Sequence, residues 1–125
     1  MNDYAMKESI LVVDDSASIR DMVSFTLESA GYNYHVSADG VEALEFASDN
    51  AVSAVVTDLN MPRMDGIELI TELRKLDHYK FTPILVLTTE AGVGKKLTGK
   101  AAGATGWIVK PFDPEGLIRT IRRVL

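Results

Sequence analysis

The residue that first suggests chemistry is Asp58, which ends an apolar, β-branched run at Val55, Val56 and Thr57. Pro62 follows four residues later, and proline fits neither a central strand nor a helix interior. Asp58 is therefore predicted to lie at the carboxyl end of a strand. In open α/β sheets, ligands bind in the crevice beyond this edge.

Two further carboxylates, Asp14 and Asp15, follow a second apolar run at residues 10–13. If the two strands are parallel neighbours, all three acidic side chains emerge at the same edge of the sheet. Two charges about 4 Å apart repel by roughly 4 kcal/mol at an effective dielectric constant near 20. Such a cluster needs either a bound cation or a proton.

Segments typical of strands and helices alternate along the chain and position these side chains. Continuous apolar runs predict buried parallel strands, and apolar residues at the helical period predict the helices between them. The predicted strands are residues 9–13, 32–37, 54–58, 84–87 and 107–109. The predicted helices are residues 17–30, 41–49, 66 to about 77, 95–102 and 114 onward. Five strand–helix units predict an α/β domain with helices on both faces of a parallel sheet.

Three of the helices carry more specific expectations. Gly94 and Gly99 lie in or near the fourth helix, and an interior glycine costs about 1 kcal/mol relative to alanine, so we expect this helix to be the least stable. The first helix has apolar residues at the helical period that include Met22. The last helix is predicted to bury a stripe made of Leu117, Ile118, Ile121, Val124 and Leu125.

Length and composition exclude several classes of protein. At 125 residues, the chain is predicted to form one domain, residues 9–125, after a short leader of residues 1–8. The net charge of -5 argues against general nucleic-acid binding. The chain has no cysteine for disulfides or thiol chemistry, and His35 and His78 are too separated for a zinc-type pair. The leader is too polar for a signal peptide, so we expect a soluble, cytoplasmic protein without a membrane span.

The ordered set of polar residues at the predicted strand ends resembles the receiver domain of two-component response regulators. The set comprises Asp14-Asp15, Asp58 within Asp-Leu-Asn-Met-Pro-Arg-Met-Asp-Gly, Thr88, and Lys110-Pro111-Phe112. The resemblance extends from Ser9 to Leu125. Within this family, the chain most resembles the single-domain chemotaxis regulators of the CheY type. It implies a flavodoxin-like fold: a doubly wound five-stranded parallel sheet in the order 2-1-3-4-5, with five helices.

The resemblance also implies a role for each site residue. Asp58 would accept a phosphoryl group from the phosphohistidine of a histidine kinase. Mg²⁺ would be held by Asp15, Asp58 and the backbone carbonyl of Asn60, with Asp14 acting mainly through water. Magnesium prefers such oxygen ligands and keeps several of its waters. Lys110 would place an ammonium opposite the metal, and the peptide bond between Lys110 and Pro111 would be cis.

Further residues are implied to act in switching and in turnover. Thr88 would sense the phosphoryl group and move with an aromatic residue, here Trp107, where tyrosine or phenylalanine is commoner in the family. Asn60 and Glu90 occupy the two positions that tune the phosphoryl lifetime by orienting or excluding water. Both are polar, which favours spontaneous hydrolysis over long storage.

Each of these residues also has a simpler explanation when it is taken alone. Asp14 and Asp15 could cap the first helix. Asp58 could be a turn aspartate and Thr88 an ordinary residue at a strand end. Lys110 could be a solvated lysine, and Trp107 could belong to the core.

The later part of the chain gathers positive charge, which has two explanations. The basic residues are Lys95, Lys96, Lys100, Arg119, Arg122 and Arg123. Those near the last helix end could simply complement the helix dipole. Alternatively, the face made by the fourth helix, fifth strand and last helix docks a target protein, as the resemblance implies.

Three functional hypotheses follow. The first is a stand-alone, monomeric phosphorylation switch in chemotaxis. Its variants are a phosphate sink and a single-domain receiver outside chemotaxis. Such a protein catalyses only its own phosphorylation and dephosphorylation. The second is a phosphatase like the haloacid dehalogenases. These need a second aspartate two residues after the nucleophile, where Asn60 stands. The third is a receiver that has become a passive interaction module.

Overall fold

The structure is a computed structural model, and it describes residues 8–125. Residues 1–7 of the predicted leader lie outside the described part. Five β-strands occur within it: β1 (Ser9–Val13), β2 (Asn33–Ser37), β3 (Ala54–Thr57), β4 (Ile84–Thr88) and β5 (Gly106–Val109). Its five α-helices are α1 (Ala17–Ser29), α2 (Gly40–Asp49), α3 (Gly66–Arg74), α4 (Val93–Ala102) and α5 (Pro114–Val124).

All the strand pairs are parallel, and the sheet order is β2-β1-β3-β4-β5. The predicted fold class and strand order are therefore confirmed. In the register of the central pair, Val13 of β1 lies opposite Thr57 of β3. The residues that follow these two, Asp14 and Asp58, consequently emerge side by side at the carboxyl edge of the sheet.

Two apolar cores, one on each face of the sheet, hold the strands in place. One core packs β1, β3 and β4 against α2 and α3, and includes Leu11, Val55, Leu69 and Tyr79. The other packs the opposite faces of the same strands against α1 and α5, and includes Val12, Leu27 and Ile121. Because helices cover both faces of β1, β3 and β4, these three strands are continuous apolar runs rather than alternating ones.

Helix caps fix where the helices begin at the carboxyl edge of the sheet. Ser16, Asp39, Asp65 and Asp113 each accept a hydrogen bond from a backbone N–H in the first turn of α1, α2, α3 and α5. The cap of α3 is a capping box, in which Glu68 also bonds back to the Asp65 N–H. By contrast, α4 has no side-chain cap hydrogen bond at Gly92.

Several predicted boundaries and burials differ from the structure. The helix predicted to run to about residue 77 ends at Arg74, and a 3₁₀ turn occupies Asp77–Tyr79. Met22 is 52% exposed because it lies on the outer side of α1, and Leu125 is 43% exposed because it lies beyond the last turn of α5. The prediction of a buried position was wrong for Leu125.

The position of Arg74 explains how the end of α3 is held. Its guanidinium donates to the carbonyl oxygens of Tyr79 and Thr82, each at 2.7 Å, and to that of Gly103, also at 2.7 Å. Gly103 ends α4 in the left-handed conformation. One partly buried cation therefore ties α3 to the C-terminus of α4, and this burial lowers the pKa of the Arg74 guanidinium.

Candidate functional site

The loop after β1 holds Asp14 in a fixed position. The Asp14 N–H donates to the Ser37 carbonyl at 3.2 Å, and the Arg20 guanidinium donates to the Asp14 carbonyl at 2.7 Å. The buried carboxylate of Asp14 accepts the Ser16 N–H at 2.9 Å. Ser16, and neither aspartate, is the residue that caps α1. The capping explanation of Asp14 and Asp15 is therefore wrong for this structure.

Asp58 is held just as firmly at the end of β3. Its N–H donates to the Val13 carbonyl at 2.9 Å, and its Oδ1 accepts the Leu59 N–H at 2.7 Å. The Asp58 residue is 8% exposed. Its other oxygen, Oδ2, lies 3.3 Å from Lys110 Nζ, so one oxygen is fixed by the backbone and the other points into the site.

At the start of α3, the backbone of Gly66 packs against the backbone of Asp58 and Leu59. The Gly66 N–H donates to the Leu59 carbonyl at 2.8 Å. A Cβ atom at residue 66 would overlap the Asp58 carbonyl oxygen. Only glycine therefore allows the backbone of α3 to begin this close to the strand end that carries Asp58.

Asp14, Asp15 and Asp58 form one acidic cluster. Each contributes a carboxylate oxygen, and these oxygens all lie within 4.8 Å of one another. Asp14 and Asp58 are buried, while Asp15 is exposed and opens the cluster to solvent. Clustered carboxylate oxygens with a solvent-facing side suit Mg²⁺, which binds through a few carboxylates and keeps several waters.

The ammonium of Lys110 lies inside the cluster. Its Nζ is 2.8 Å from Asp14 Oδ2 and 3.3 Å from Asp58 Oδ2, and its side chain is 12% exposed. Burial by itself would lower the pKa of Lys110, but the hydrogen bonds and charges of Asp14 and Asp58 outweigh it and raise the pKa above its usual value. Lys110 is thus not a solvated lysine. One ammonium among three carboxylates leaves the cluster negative and able to attract a divalent cation.

The end of β5 places Lys110 at this position. Its N–H donates to the Thr88 carbonyl at 2.8 Å, which extends the pairing of β5 with β4 by one residue. The peptide bond between Lys110 and Pro111 is cis, as the resemblance implied. The lysine side chain extends from the strand edge into the acidic cluster.

A second group of predicted residues is linked through the backbone of Glu90. Thr88 is fully buried, and its Oγ1 accepts the Glu90 N–H at 3.3 Å. The Trp107 indole Nε1 donates to the Glu90 carbonyl at 2.8 Å. The threonine hydroxyl and the indole are therefore joined by one peptide segment of the loop that follows β4.

Of the predicted site residues, the structure brings Asp14, Asp15, Asp58 and Lys110 together. Thr88, Glu90 and Trp107 form the adjoining group, and Asn60 lies exposed in the loop after Asp58. Sequence reasoning missed that Arg20, Asp39 and Arg63 hold these loops and that Gly66 and Gly99 allow close packing. Asp39 and Gly66 each stand in an Asp-Gly pair typical of a turn or a helix start, and Gly99 was noted only as a glycine that weakens the fourth helix.

Comparison with known proteins gives a consistent result. The model of the response regulator receiver domain family matches residues 10–122. The chemotaxis protein CheY4 of Vibrio cholerae is 53% identical, over 95% of this chain and 99% of that one, with a TM-score of 0.92. The receiver domain of the sensor histidine kinase PA1611 from Pseudomonas aeruginosa PAO1, solved with a magnesium ion in its active site cleft, is 29% identical, over 94% of this chain and 96% of that one, with a TM-score of 0.88.

Longer proteins are also similar to this chain. The probable transcriptional regulator ycf27 of Porphyridium aerugineum is 44% identical over 119 residues, which are 95% of this chain and 48% of that protein. The chain thus spans about half the length of the curated relatives it matches. Across residues 8–125, the structure contains no helix long and apolar enough to cross a membrane.

Proposed function

Because this chain belongs to the response regulator receiver domain family, we propose that it accepts a phosphoryl group from a histidine kinase onto Asp58. The observation that supports this most is the position of the Lys110 ammonium between Asp14 and Asp58. Phosphoryl transfer needs a fixed nucleophile and positive charge beside the transferred group. Asp58 and Lys110 supply these two requirements.

We propose that Mg²⁺ binds at Asp15, Asp58 and the Asn60 carbonyl, with Asp14 in support. The acidic cluster supplies the donor oxygens, and the similar receiver domain of PA1611 was solved with magnesium in its cleft. When bound, the ion would neutralise charge on the phosphoryl oxygens. Asp14 already carries the Lys110 and Ser16 contacts, so it is suited to an indirect role.

In the proposed reaction, an Asp58 carboxylate oxygen attacks phosphorus and the phosphorus–nitrogen bond of the phosphohistidine breaks. The nitrogen keeps the bonding electron pair, takes up a proton and leaves as neutral imidazole, while Asp58 becomes an aspartyl phosphate. Asp58 Oδ2 suits the role of nucleophile because Oδ1 is occupied by the Leu59 N–H. Lys110 would then pair with the new phosphoryl oxygens rather than with the carboxylate. In hydrolysis, water attacks phosphorus, the bond from phosphorus to the Asp58 oxygen breaks, and inorganic phosphate leaves while Asp58 returns to its carboxylate form. Asn60 and Glu90 would set the rate of this step.

We propose that the signal leaves the site through Thr88. A phosphoryl oxygen would attract the Thr88 hydroxyl, and this movement would release the Glu90 N–H that now bonds to it. Since the Glu90 carbonyl holds the Trp107 indole, movement of Glu90 changes the environment of the ring. Trp107 would therefore report the state of Asp58.

The surface made by α4, β5 and α5 is the proposed docking face for the target protein. Lys96, Lys100 and Trp107 line a groove of this surface, and nearly all of α4 is exposed. The similarity to CheY4 over 99% of that chain supports a chemotaxis role and a chemotaxis kinase as phosphodonor. A phosphate sink or a receiver in another pathway remains the alternative, because some relatives are transcriptional regulators.

Intact-mass measurement after incubation with acetyl phosphate tests the central proposal. The wild type should gain one phosphoryl group in the presence of Mg²⁺ and none when the metal is chelated, and Asp58→Asn should gain none in either condition. Asp21→Asn, which changes an exposed aspartate of α1, is the matched control and should behave as the wild type. Phosphorylation of Asp58→Asn would refute the assignment of the acceptor. Steady hydrolysis of phosphate esters would instead indicate a phosphatase.

A further inference from the structure

Arg63 has an unusual backbone conformation in the loop between β3 and α3. Among residues 8–125, it is the non-glycine residue with a positive φ, 68°. This left-handed region is unfavourable for side chains with a Cβ atom and is populated mainly by glycine and asparagine. Contacts with the surrounding structure must therefore hold Arg63 in this conformation.

Two contacts hold Arg63: the Met64 N–H donates to the Pro62 carbonyl at 2.7 Å and closes the turn around it, and the Arg63 side chain forms a two-pronged ion pair with Asp39. Arg63 Nε lies 2.9 Å from Asp39 Oδ2, and Arg63 Nη2 lies 3.1 Å from Asp39 Oδ1. Such paired hydrogen bonds fix the guanidinium in orientation as well as in distance. The hydrogen bond from Arg63 also lowers the pKa of the Asp39 carboxyl, so both partners stay charged near neutral pH.

Asp39 is itself a rigid anchor. It is buried, and its Oδ1 accepts the Glu42 N–H at 2.9 Å as the N-cap of α2. Next to it, a Cβ atom at Gly40 would lie 2.7 Å from the Met64 carbonyl oxygen. The tip of the β3–α3 loop is therefore packed against the start of α2 as well as paired with it.

The same loop carries part of the proposed metal site. It leaves the sheet at Asp58, passes through Asn60, reaches Arg63 at its tip and returns to the Asp58 carbonyl at Gly66. The two ends are fixed by Asp58 and Gly66, and the ion pair fixes the tip. The position of the Asn60 carbonyl relative to the acidic cluster therefore depends on three anchors, one of which is a side chain.

We infer that Arg63, through its ion pair with Asp39, is a positioning residue that holds the Asn60 carbonyl in place for the cation bound by the acidic cluster. This inference rests on the proposed function, since it concerns the metal site of the same reaction. Arg63 does not need to contact the metal or the phosphoryl group. Its role is to keep the loop in the conformation in which a backbone oxygen completes the site.

Three substitutions separate the contributions. Arg63→Gly permits the left-handed conformation but removes the ion pair. Arg63→Lys keeps the positive charge but cannot form the two parallel hydrogen bonds to the Asp39 carboxylate. Asp39→Asn removes the charge while keeping a good cap for α2. Lys75→Ala, which breaks the exposed pair between Lys75 and Glu72 on α3, is the matched control for loss of an ion pair elsewhere.

Two measurements on each protein test the inference: amide hydrogen exchange of residues 59–64 without metal, and Mg²⁺ affinity by calorimetry. Arg63→Gly and Asp39→Asn should exchange faster in this loop. They should also bind Mg²⁺ about 3- to 10-fold more weakly. Loss of a group that hydrogen-bonds directly to a metal ligand lowers metal affinity by about 10- to 100-fold, and Arg63 acts less directly. Arg63→Lys should be intermediate, and Lys75→Ala should match the wild type.

The outcomes distinguish this inference from the proposed function. If the wild type binds Mg²⁺ but Arg63→Gly has unchanged affinity and unchanged loop exchange, Arg63 has no positioning role and the proposed function stands. If Arg63→Gly loses only global stability, the ion pair is purely structural and the inference fails as well. If the wild type itself does not bind Mg²⁺, the proposed metal site and the positioning role are both refuted.

Discussion

Gly99 of α4 lies directly against the indole ring of Trp107. A Cβ atom at residue 99 would be 2.6 Å from Trp107 Cζ3, far inside van der Waals contact. Within α4, Gly99 is the buried residue, and the rest of the helix is largely exposed. The glycine that weakens this helix thus creates the space in which an unusually large aromatic residue packs between α4 and the β4–α4 loop.

The contact predicts that two glycine-to-alanine substitutions in the same helix differ in their effect on the free energy of unfolding. A Cβ atom added at Gly94 would meet nothing within 4 Å, so Gly94→Ala should raise the free energy of unfolding by about 0.5–1 kcal/mol through helix propensity. In Gly99→Ala, the same gain in helix propensity should be offset, because the added Cβ atom forces the Trp107 ring to move. This movement should also shift the Trp107 emission. Urea unfolding and fluorescence spectra measure both effects. Equal stabilisation with identical spectra would disprove the steric relationship.

Thr88→Val tests the route from the site to Trp107. Valine keeps the volume of the buried side chain but cannot bond to the Glu90 N–H or to a phosphoryl oxygen. We expect this variant to accept phosphate on Asp58 but to lose the change in Trp107 emission that accompanies phosphorylation of the wild type. Thr89→Val, at the exposed neighbour, is the control and should keep the change. A full emission change in Thr88→Val would exclude the hydroxyl from signalling.

Lys110→Met should separate metal binding from phosphoryl transfer. Removing the ammonium leaves the carboxylates of Asp14 and Asp58 uncompensated, so Mg²⁺ should bind at least as tightly as in the wild type. Phosphorylation at saturating Mg²⁺ should nevertheless slow by about 10²-fold or more, the usual effect of losing one preorganised charge-stabilising group. Calorimetry and timed intact-mass spectra provide the two values. Weaker metal binding together with normal phosphorylation would contradict the assigned role.

Mg²⁺ should stabilise the folded protein through the acidic cluster. A ligand that binds only the native state adds about 2.7 kcal/mol to the free energy of unfolding at 100 times its Kd. We expect a gain of this kind in the wild type and a much smaller one in Asp15→Asn, measured by urea unfolding at fixed ionic strength. Asp21→Asn should gain as much as the wild type. An equal gain in Asp15→Asn would place the ion elsewhere.

The ion pair of Arg63 and Asp39 predicts a pH-dependent contribution to stability. Because the folded-state pKa of Asp39 lies below its usual value of about 3.9, this contribution is present above that pH and is lost as the pH falls through the lowered pKa. The difference in unfolding free energy between the wild type and Arg63→Asn should therefore shrink on going from pH 7 to pH 2.5. A difference that is constant over this range would show that charge is not involved.

Local sequence signals predicted most of the secondary structure. The apolar runs of β1, β3 and β4 are buried on both faces, so their composition alone distinguished them from loops. The predicted starts of α1 at residue 17 and of α5 at residue 114 are correct, and each helix is capped by the residue directly before it, Ser16 and Asp113. Boundaries were less accurate at the end of α3, where Leu76 takes an extended conformation and the Arg74 guanidinium bonds to carbonyls of the following loop and of Gly103.

The candidate site was predictable in its residue types because each acidic or basic residue follows directly after a strand. Parallel strands bring their carboxyl ends to one edge, so Asp14 and Asp58 had to emerge close together once the strand order was known. The sequence could not supply the distances between oxygens. It also could not reveal that Lys110 lies between the two carboxylates, since 52 residues separate Lys110 from Asp58 and 96 separate it from Asp14.

By itself, the sequence determined the alternating α/β architecture, the sheet edge at which chemistry could occur and the residues able to perform it, because these depend on local patterns of apolar, capping and charged residues. The tertiary structure alone decided that Arg63 pairs with Asp39, that Gly99 makes room for Trp107, and that Glu90 links Thr88 to the indole. Each of these contacts joins two different elements or loops of the fold. They depend on how closely two backbones approach, and a linear pattern of residue types does not encode that distance.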